Sequence, residues 1–258
     1  MGKIERITLN LFNEPRMIRI YLPDDLSIAY PVLYMHDGHN LFDVKASYGG
    51  VIWNVHETLS KIEAELNKSF IVVGIDCHSL NRLDEYSPWI NYDLLRLFPE
   101  GQVSKAGGLG NEYLKWIVEE LKPYIDNHYP TLIDESYLAG SSMGGFISLY
   151  GGYLYPDVFK GVGCFSSAFW FEKPKMIDFI KNYHNPNLII YLDVGTNESD
   201  NDKMSSIYLN DTIEIADLIK SFGTKHLKLL IDEGAQHHEL AWQKRFPNFV
   251  KWLIKTKN

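Results

Sequence analysis

From about residue 31 onward, short apolar runs alternate with longer amphipathic runs along the rest of the chain. The short runs are rich in β-branched and aromatic residues and have the length of buried strands, whereas the longer runs carry apolar residues at helical spacing. The predicted strands are 31–35, 70–76, 136–139, 161–165, 188–194 and 227–231. The predicted helices are 53–66, 111–128, 143–153, 207–222 and 240–254. Repeated strand–helix–strand units predict an α/β fold, a mostly parallel sheet with helices on both faces.

Two segments depart from this alternation. The runs 4–9 and 17–22 are separated by Asn13, Glu14 and Pro15, and they predict an antiparallel hairpin at the edge of the sheet. Residues 79–110 show no clear periodicity of apolar residues, which predicts a long loop. Loops of this length are often functional. We expect this one to form one wall of a site beyond the carboxyl ends of the strands, either fixed or as a mobile lid. With no internal repeat or charged linker, the sequence predicts one domain over residues 1–258.

The composition argues against several classes of partner. The chain has 258 residues, of which 45% are hydrophobic and 22% are charged, values typical of a globular protein. Its formal charge is −8. A nucleic-acid partner is therefore not expected, because phosphate binding depends on clustered Lys and Arg. No apolar run approaches the roughly 18 residues that span a bilayer, and the first ten residues do not resemble a signal peptide. Cys77 and Cys164 form no metal-binding spacing and are predicted to be reduced core residues. We therefore expect a cytoplasmic protein without a membrane partner.

The most informative local motif is Gly140-Ser141-Ser142-Met143-Gly144-Gly145, which fits G-x-S-x-G with Ser142 at its centre. It follows a predicted strand and opens a predicted helix, and this is the context of a nucleophile elbow. Glycines are needed there because the serine lies on a sharp, strained turn where side chains would collide with the neighbouring strand and helix. The motif predicts Ser142 as a nucleophile, and the alternative is a glycine-rich helix start with Ser142 as its N-cap.

A serine nucleophile needs a base, and in α/β hydrolases the triad follows the chain order Ser, acid, His. The last predicted strand is followed by His237 and His238, of which His237 is the predicted base. The strand before it is followed by an acidic turn, in which Glu198 is the predicted acid and Asp200 the alternative. Asp193 lies within that strand and is expected to point into or across the sheet.

The third part of such a site is an oxyanion hole made of two backbone N–H groups. One is the N–H of Met143, directly after the serine, and the other belongs to the loop after the first parallel strand. In that loop Gly38 permits a tight turn, so the second donor is predicted to be the N–H of Gly38 or of His39.

The same loop also permits a different interpretation. His36, Asp37 and His39 are residue types that bind zinc. A complete metal site would need further ligands from across the fold, drawn from His237, His238 and Glu239. It would leave the G-x-S-x-G motif without a role, so we predict neither a metal nor a cofactor.

Taken together, these residues resemble the esterase family of α/β hydrolases that also contains enterochelin esterase, feruloyl and acetyl xylan esterases and the mycolyltransferases. The resemblance runs from about residue 18 to residue 252. The matching segments are 34–43, where relatives typically have a D-G-x-N-L-F string, Gly49 and Gly50 before Trp53, 85–89, 120–125, 140–145, 166–170, 195–198, and His237 with Glu239 and Trp242.

This resemblance implies a serine hydrolase that acts on carboxylic esters, with Ser142 as nucleophile, His237 as base and Glu198 or a nearby Asp as acid. The family's closing motif, similar to G-x-x-H-x-E-x-x-W, fits His237, Glu239 and Trp242 and favours His237 over His238. Relatives often carry Asp in the acidic turn, and some dispense with the acid.

The sequence thus predicts a serine esterase that forms a covalent acyl-enzyme and acts on small or sugar-linked acyl esters. An acyltransferase with the same triad and a non-catalytic binding protein on a hydrolase scaffold are the alternatives. Four residues are predicted near the pocket, with packing as the alternative for each: Arg82, Tyr86, Trp89 and Trp170. Arg82 is the candidate to hold an anionic or sugar-linked substrate.

Overall fold

The computed structural model describes residues 2–97 and 103–256, and its strands form one eight-stranded sheet. The strands are β1 (Lys3–Leu11), β2 (Glu14–Leu22), β3 (Tyr30–His36), β4 (Ile71–Ile75), β5 (Thr131–Ser141), β6 (Phe159–Phe165), β7 (Ile189–Gly195) and β8 (Leu227–Asp232). Their order across the sheet is β1-β2-β4-β3-β5-β6-β7-β8. From β4 to β8 all neighbours are parallel, which confirms the predicted α/β class.

The N-terminal hairpin is confirmed at the edge of the sheet, where β1 and β2 pair antiparallel. The turn is shorter than predicted and consists of Phe12 and Asn13, whose φ angles of 54° and 62° suit the twist of a tight hairpin. Pro15 lies inside β2 and not in the turn. It is tolerated there because β2 pairs with β4 only from Ile18 onward.

Ten α-helices lie between or after these strands in the described part of the chain. They are α1 (His39–Phe42), α2 (Val55–Leu66), α3 (Arg82–Glu85), α4 (Leu94–Leu97), α5 (Gly110–Trp116), α6 (Lys122–His128), α7 (Met143–Leu154), α8 (Lys173–Tyr183), α9 (Asp202–Ser221) and α10 (Glu239–Thr256). The predicted helix 111–128 is divided by a π-helical turn, Ile117–Leu121, just before Pro123, whose ring cannot take part in a regular α-helical ladder. Helix α8 was not predicted.

The core lies on both faces of the sheet. Strands β3, β4, β6 and β7 are buried over nearly their whole length, so their side chains pack alternately into one of two apolar clusters. Helix α7 follows β5 and packs against β5 and β6, with all but its last residue buried. The carboxyl ends of six parallel strands therefore open at one edge, and the residues that follow them meet there.

The segment 79–110, predicted as a long loop, is anchored to the body of the protein. It contains α3, α4 and an isolated bridge between Asn91 and Ala106, while residues 98–102 lie outside the described part of the chain. Glu85 is completely buried and accepts two hydrogen bonds from Arg16, at 2.8 and 2.7 Å. This ion pair joins α3 to strand β2.

Within the described residues, no helix has both the length and the apolar character needed to cross a membrane. Both cysteines are free thiols, but only Cys164 is a core residue. Cys77 is half-buried and borders an open cleft, so the prediction of two core cysteines is wrong for Cys77.

Candidate active site

Ser142 lies on the turn between β5 and α7, at the carboxyl edge of the sheet. Its backbone has φ 56° and ψ −121°, a conformation that is strained for a residue with a side chain and persists only where its surroundings enforce it. The surroundings here are hydrogen bonds: the Ser142 N–H donates to the Phe165 carbonyl at 2.9 Å, and the Ser142 carbonyl accepts from the N–H of Ala168 at 3.1 Å. The turn therefore holds the Ser142 side chain at the tip of the strand.

The glycines around Ser142 are required by close contacts. A Cβ on Gly140 would lie 2.8 Å from the carbonyl carbon of Gly144, which is closer than real Cβ atoms come to backbone. A Cβ on Gly145 would lie 2.3 Å from the Ser167 hydroxyl oxygen. The steric role predicted for residues 140 and 144 matches the packing at Gly140, whereas the nearest contact of a Cβ on Gly144 would be the His36 Cβ, at 3.2 Å.

His237 and Glu198 form a hydrogen-bonded pair beside this turn. The His237 Nδ1 atom lies 2.7 Å from Oε2 of Glu198, whose side chain is fully buried, whereas 24% of the His237 side chain is exposed. An ionised carboxylate only accepts hydrogen bonds, so Nδ1 carries the proton and Nε2 is left as the basic nitrogen. The pair has the arrangement in which an acid fixes the tautomer of a histidine base.

The Glu198 carboxylate has further donors. Its Oε1 accepts from the Ser166 hydroxyl at 2.6 Å and from the N–H of Gly195. Burial raises the pKa of Glu198, but the hydrogen bonds from His237, Ser166 and Gly195 outweigh burial, and the pKa lies below its usual value. Glu198 is therefore ionised at neutral pH.

The competing residues occupy other positions. Asp200 is exposed. Asp193 is buried within β7, as expected, where it lies 3.4 Å from Arg245; burial raises its pKa to about 7 against the opposing effect of that arginine. His238 borders the cleft, but its Nδ1 accepts the N–H of Leu240 and so helps to cap α10. Of the three acids and two histidines considered, only Glu198 and His237 pair with each other.

The two candidates for the second oxyanion donor differ in their backbone partners. The N–H of Gly38 donates to the Ile75 carbonyl at 2.8 Å, so it does not point at a substrate. His39 and Met143 are the first residues of α1 and α7, where an N–H has no acceptor within its own helix. The structure therefore favours His39 over Gly38 as the partner of Met143.

Ser142 and His237 open onto a cleft of about 730 Å³. A smaller cavity of about 280 Å³ lies beside Tyr30 and Phe70, at the amino ends of the strands and away from this chemistry. The cleft is lined by Asp37, His39, Asn40, Tyr48, Gly49, Asp76, Cys77, Ser79, Arg82, Ser141, Ser142, His237, His238, Glu239 and Trp242. Its size is within the range of sites for small molecules.

Of the four predicted pocket residues, Arg82 borders the cleft and the others do not. Tyr86 is fully buried, with its hydroxyl at the backbone N–H of Asp37. Trp89 packs edge-on against a cluster of core rings, Phe146, Tyr150 and Phe179. Trp170 is half-buried, with its ring edge-on to Tyr208. For Tyr86 and Trp89 the packing alternative is correct, whereas Tyr92 of the same segment is 68% exposed.

Tyr208, on α9, was missed by the sequence interpretation. Its ring centre lies 4.9 Å from that of His237, and it is 7% exposed. Burial raises the pKa of the Tyr208 hydroxyl, against the opposing effect of the Trp170 and Ser142 side chains. Only the tertiary packing of α9 brings Tyr208 to the site. No local motif marks it.

The alternative metal site is disfavoured by the partners of its ligands. Both oxygens of Asp37 accept hydrogen bonds from Arg82, at 2.7 and 2.8 Å, so the guanidinium occupies the place of a cation. His36 is buried and bonds to the Tyr113 hydroxyl at 2.8 Å, and burial lowers its pKa to about 4. Asp37, His39 and Cys77 do bring possible ligand atoms within 4.8 Å of one another, but the Asp37 member of this group is the one paired with Arg82.

Comparison with known proteins identifies the family of the chain. The chain belongs to the esterase family, because the family model described as "Putative esterase" matches residues 10–253. The uncharacterized protein YbbA of Bacillus subtilis (strain 168) is 27% identical over 247 residues, which are 92% of each chain.

Solved structures show the same fold. A ferulic acid esterase superposes with a TM-score of 0.70 at 17% identity, over 97% of this chain and 99% of its own. The enterobactin esterase FES from Shigella flexneri superposes with a TM-score of 0.75 at 15% identity, over 98% of this chain and 59% of its own. The fold is accordingly that of the α/β hydrolases.

Proposed function

We propose that this protein is a serine carboxylic-ester hydrolase that uses Ser142, His237 and Glu198. The observation that carries the proposal is the 2.7 Å pair between His237 and the buried Glu198, which borders the same cleft as Ser142 on its strained turn. A histidine with Nδ1 held by an acid presents Nε2 as a base, and a serine needs such a base to become nucleophilic.

The proposed reaction has two steps. Nε2 of His237 takes the Ser142 proton while Oγ attacks the ester carbonyl, and the resulting imidazolium is stabilised by Glu198. The N–H groups of Met143 and His39 stabilise the oxyanion, and the protonated histidine returns its proton to the leaving alcohol. Water, activated by His237, then hydrolyses the acyl-enzyme and releases the acid.

The substrate proposal is limited to the class of small or sugar-linked acyl esters. The cleft has room for a small molecule, and its walls include the guanidinium of Arg82 and the exposed ring of Tyr48. Ferulic acid esterase and enterobactin esterase are named for different esters, so the neighbours support ester hydrolysis without choosing an acyl group. We also propose a cytoplasmic location, which the free thiols of Cys77 and Cys164 support.

The test of the function is hydrolysis of a short-chain aryl ester by the purified protein. We expect saturable release of the phenol, with an initial burst if deacylation is the slower step. Adding an acceptor alcohol separates hydrolysis from acyl transfer: free acid as the main product supports the hydrolase, and the transferred ester supports the acyltransferase. A protein that binds esters without turnover would be a binding protein on this scaffold.

The identity of the acid gives a further prediction. Glu198→Gln should lower kcat by about 10²- to 10⁴-fold, because the neutral amide no longer stabilises the imidazolium or fixes its tautomer. Asp200→Asn is the matched control, and this exposed position should change kcat by less than about twofold. Steady-state kinetics on the same aryl ester measure both variants, and the reverse order of effects would assign the acid to Asp200.

A further inference from the structure

Ser166 directly follows β6, and its hydroxyl contacts the Glu198 carboxylate. It is fully buried, and its φ of 42° is left-handed, which is uncommon for a residue other than glycine. Its backbone N–H holds this conformation by donating to Asp193, to the carbonyl at 2.9 Å and to the carboxylate at 3.1 Å. The strained turn aims the Ser166 hydroxyl at Glu198.

The hydroxyl of Ser166 has three polar partners. Trp242 Nε1 lies 3.0 Å from Ser166 Oγ, and Arg245 Nη2 lies 2.9 Å from the same oxygen. Indole and guanidinium nitrogens can only donate, so both lone pairs of the hydroxyl are occupied. Its single proton is left for the third partner, Oε1 of Glu198, at 2.6 Å. The direction of this hydrogen bond is therefore fixed by the two donors from α10.

Arg245 shows that this arrangement is built into the core. The side chain of Arg245 is 2% exposed, and it lies 3.4 Å from the buried carboxylate of Asp193. A buried arginine is costly unless it is paired and hydrogen-bonded. Helix α10, which begins just after His237, thus places its buried arginine where it orients the hydroxyl that contacts Glu198.

We propose that Ser166 is a positioning residue that, through its donated hydrogen bond, holds Oε1 of Glu198 so that Oε2 faces Nδ1 of His237. The inference rests on the proposed function for its kinetic consequences. Ser166 does not border the cleft, so it acts on the reaction through Glu198 and not by contacting substrate. Its loss should therefore lower kcat and leave KM nearly unchanged.

The experiment compares Ser166→Ala with Ser167→Ala. Ser167 is a neighbouring buried serine whose hydroxyl has no hydrogen-bond partner among the described residues. We expect Ser166→Ala to lower kcat by about 10- to 100-fold and Ser167→Ala to change it by less than about twofold. In a Glu198→Ala background, Ser166→Ala should have less than about a twofold further effect, because no carboxylate remains to be positioned.

A second readout does not depend on activity. The Nδ1 proton of His237, hydrogen-bonded to a carboxylate, should give a low-field ¹H NMR resonance, and Ser166→Ala should shift or abolish it while Ser167→Ala leaves it in place. If Ser166→Ala does not fold, Ser166→Cys, whose thiol is somewhat larger and only a weak donor, should show smaller changes of the same kind. Additive losses in the double variant, or an unchanged kcat and resonance, would overturn the inference. If the wild-type protein hydrolyses no ester but Ser166→Ala still shifts or abolishes the resonance, only the proposed function is overturned.

Discussion

Replacing Ser142 with alanine should abolish ester hydrolysis almost completely, with kcat reduced by about 10³- to 10⁶-fold. The reduction is large because the members of a triad act as a unit: without Oγ there is no acyl-enzyme, and His237 and Glu198 have nothing to activate. KM should change little, since the cleft walls remain. Initial rates on an aryl ester measure the loss.

Two controls make this result specific. Ser141→Ala removes the neighbouring serine hydroxyl, which also borders the cleft, and should lower kcat by less than about tenfold. Urea unfolding of Ser142→Ala should give the wild-type midpoint, because alanine experiences the same backbone strain as serine at φ 56°. Turnover that survives Ser142→Ala but is lost in Ser141→Ala would mean that the nucleophile is misassigned.

The second large effect is the loss of stability expected when the Arg16–Glu85 ion pair is broken. Both residues are buried, and Arg16→Met leaves the Glu85 carboxylate as an unpaired charge in the core, which costs about 3–5 kcal/mol of unfolding free energy. Because Glu85 belongs to α3, the same change should loosen the helix that carries Arg82 to the cleft. Urea denaturation monitored by circular dichroism measures the free energy of unfolding.

Exposed and buried ion pairs should behave differently in this experiment. Lys115, on α5, forms an exposed ion pair with Glu119, and Lys115→Met should lower the free energy of unfolding by less than about 1 kcal/mol. The double variant Arg16→Met with Glu85→Leu replaces both charges with apolar groups and should regain most of the stability lost by Arg16→Met alone. Equal losses in Arg16→Met and Lys115→Met would show that the buried pair contributes no more than a surface one.

The sheet and the three candidate triad residues could be predicted because both follow from local pattern and from topology. Strand periods are visible in short windows, and the carboxyl ends of parallel strands must meet at one edge, so the turns after three strands bring Ser142, Glu198 and His237 together. Helix α8 carried a detectable signal, apolar residues at 176, 179 and 180 after Pro174, that the prediction did not use.

The parts that could not be predicted depend on contacts between distant side chains. Tyr208 reaches His237 only through the packing of α9, and Ser166 meets Arg245 only through the placement of α10 against β6. Tyr86 and Trp89 were assigned to the pocket because aromatic residues in a long segment suit either a binding wall or a core. Burial decides between the two, and burial is a property of the fold.

Covalent labelling with a fluorophosphonate tests the central claim most directly, because an activated serine reacts with it far faster than an ordinary hydroxyl does. Intact mass should show one adduct per chain, and peptide mapping should locate it on Ser142. His237→Ala should prevent or greatly slow the labelling, since the serine then lacks its base. An adduct on another residue, or a folded wild-type protein that takes up no label, would contradict the assignment of Ser142 as the nucleophile.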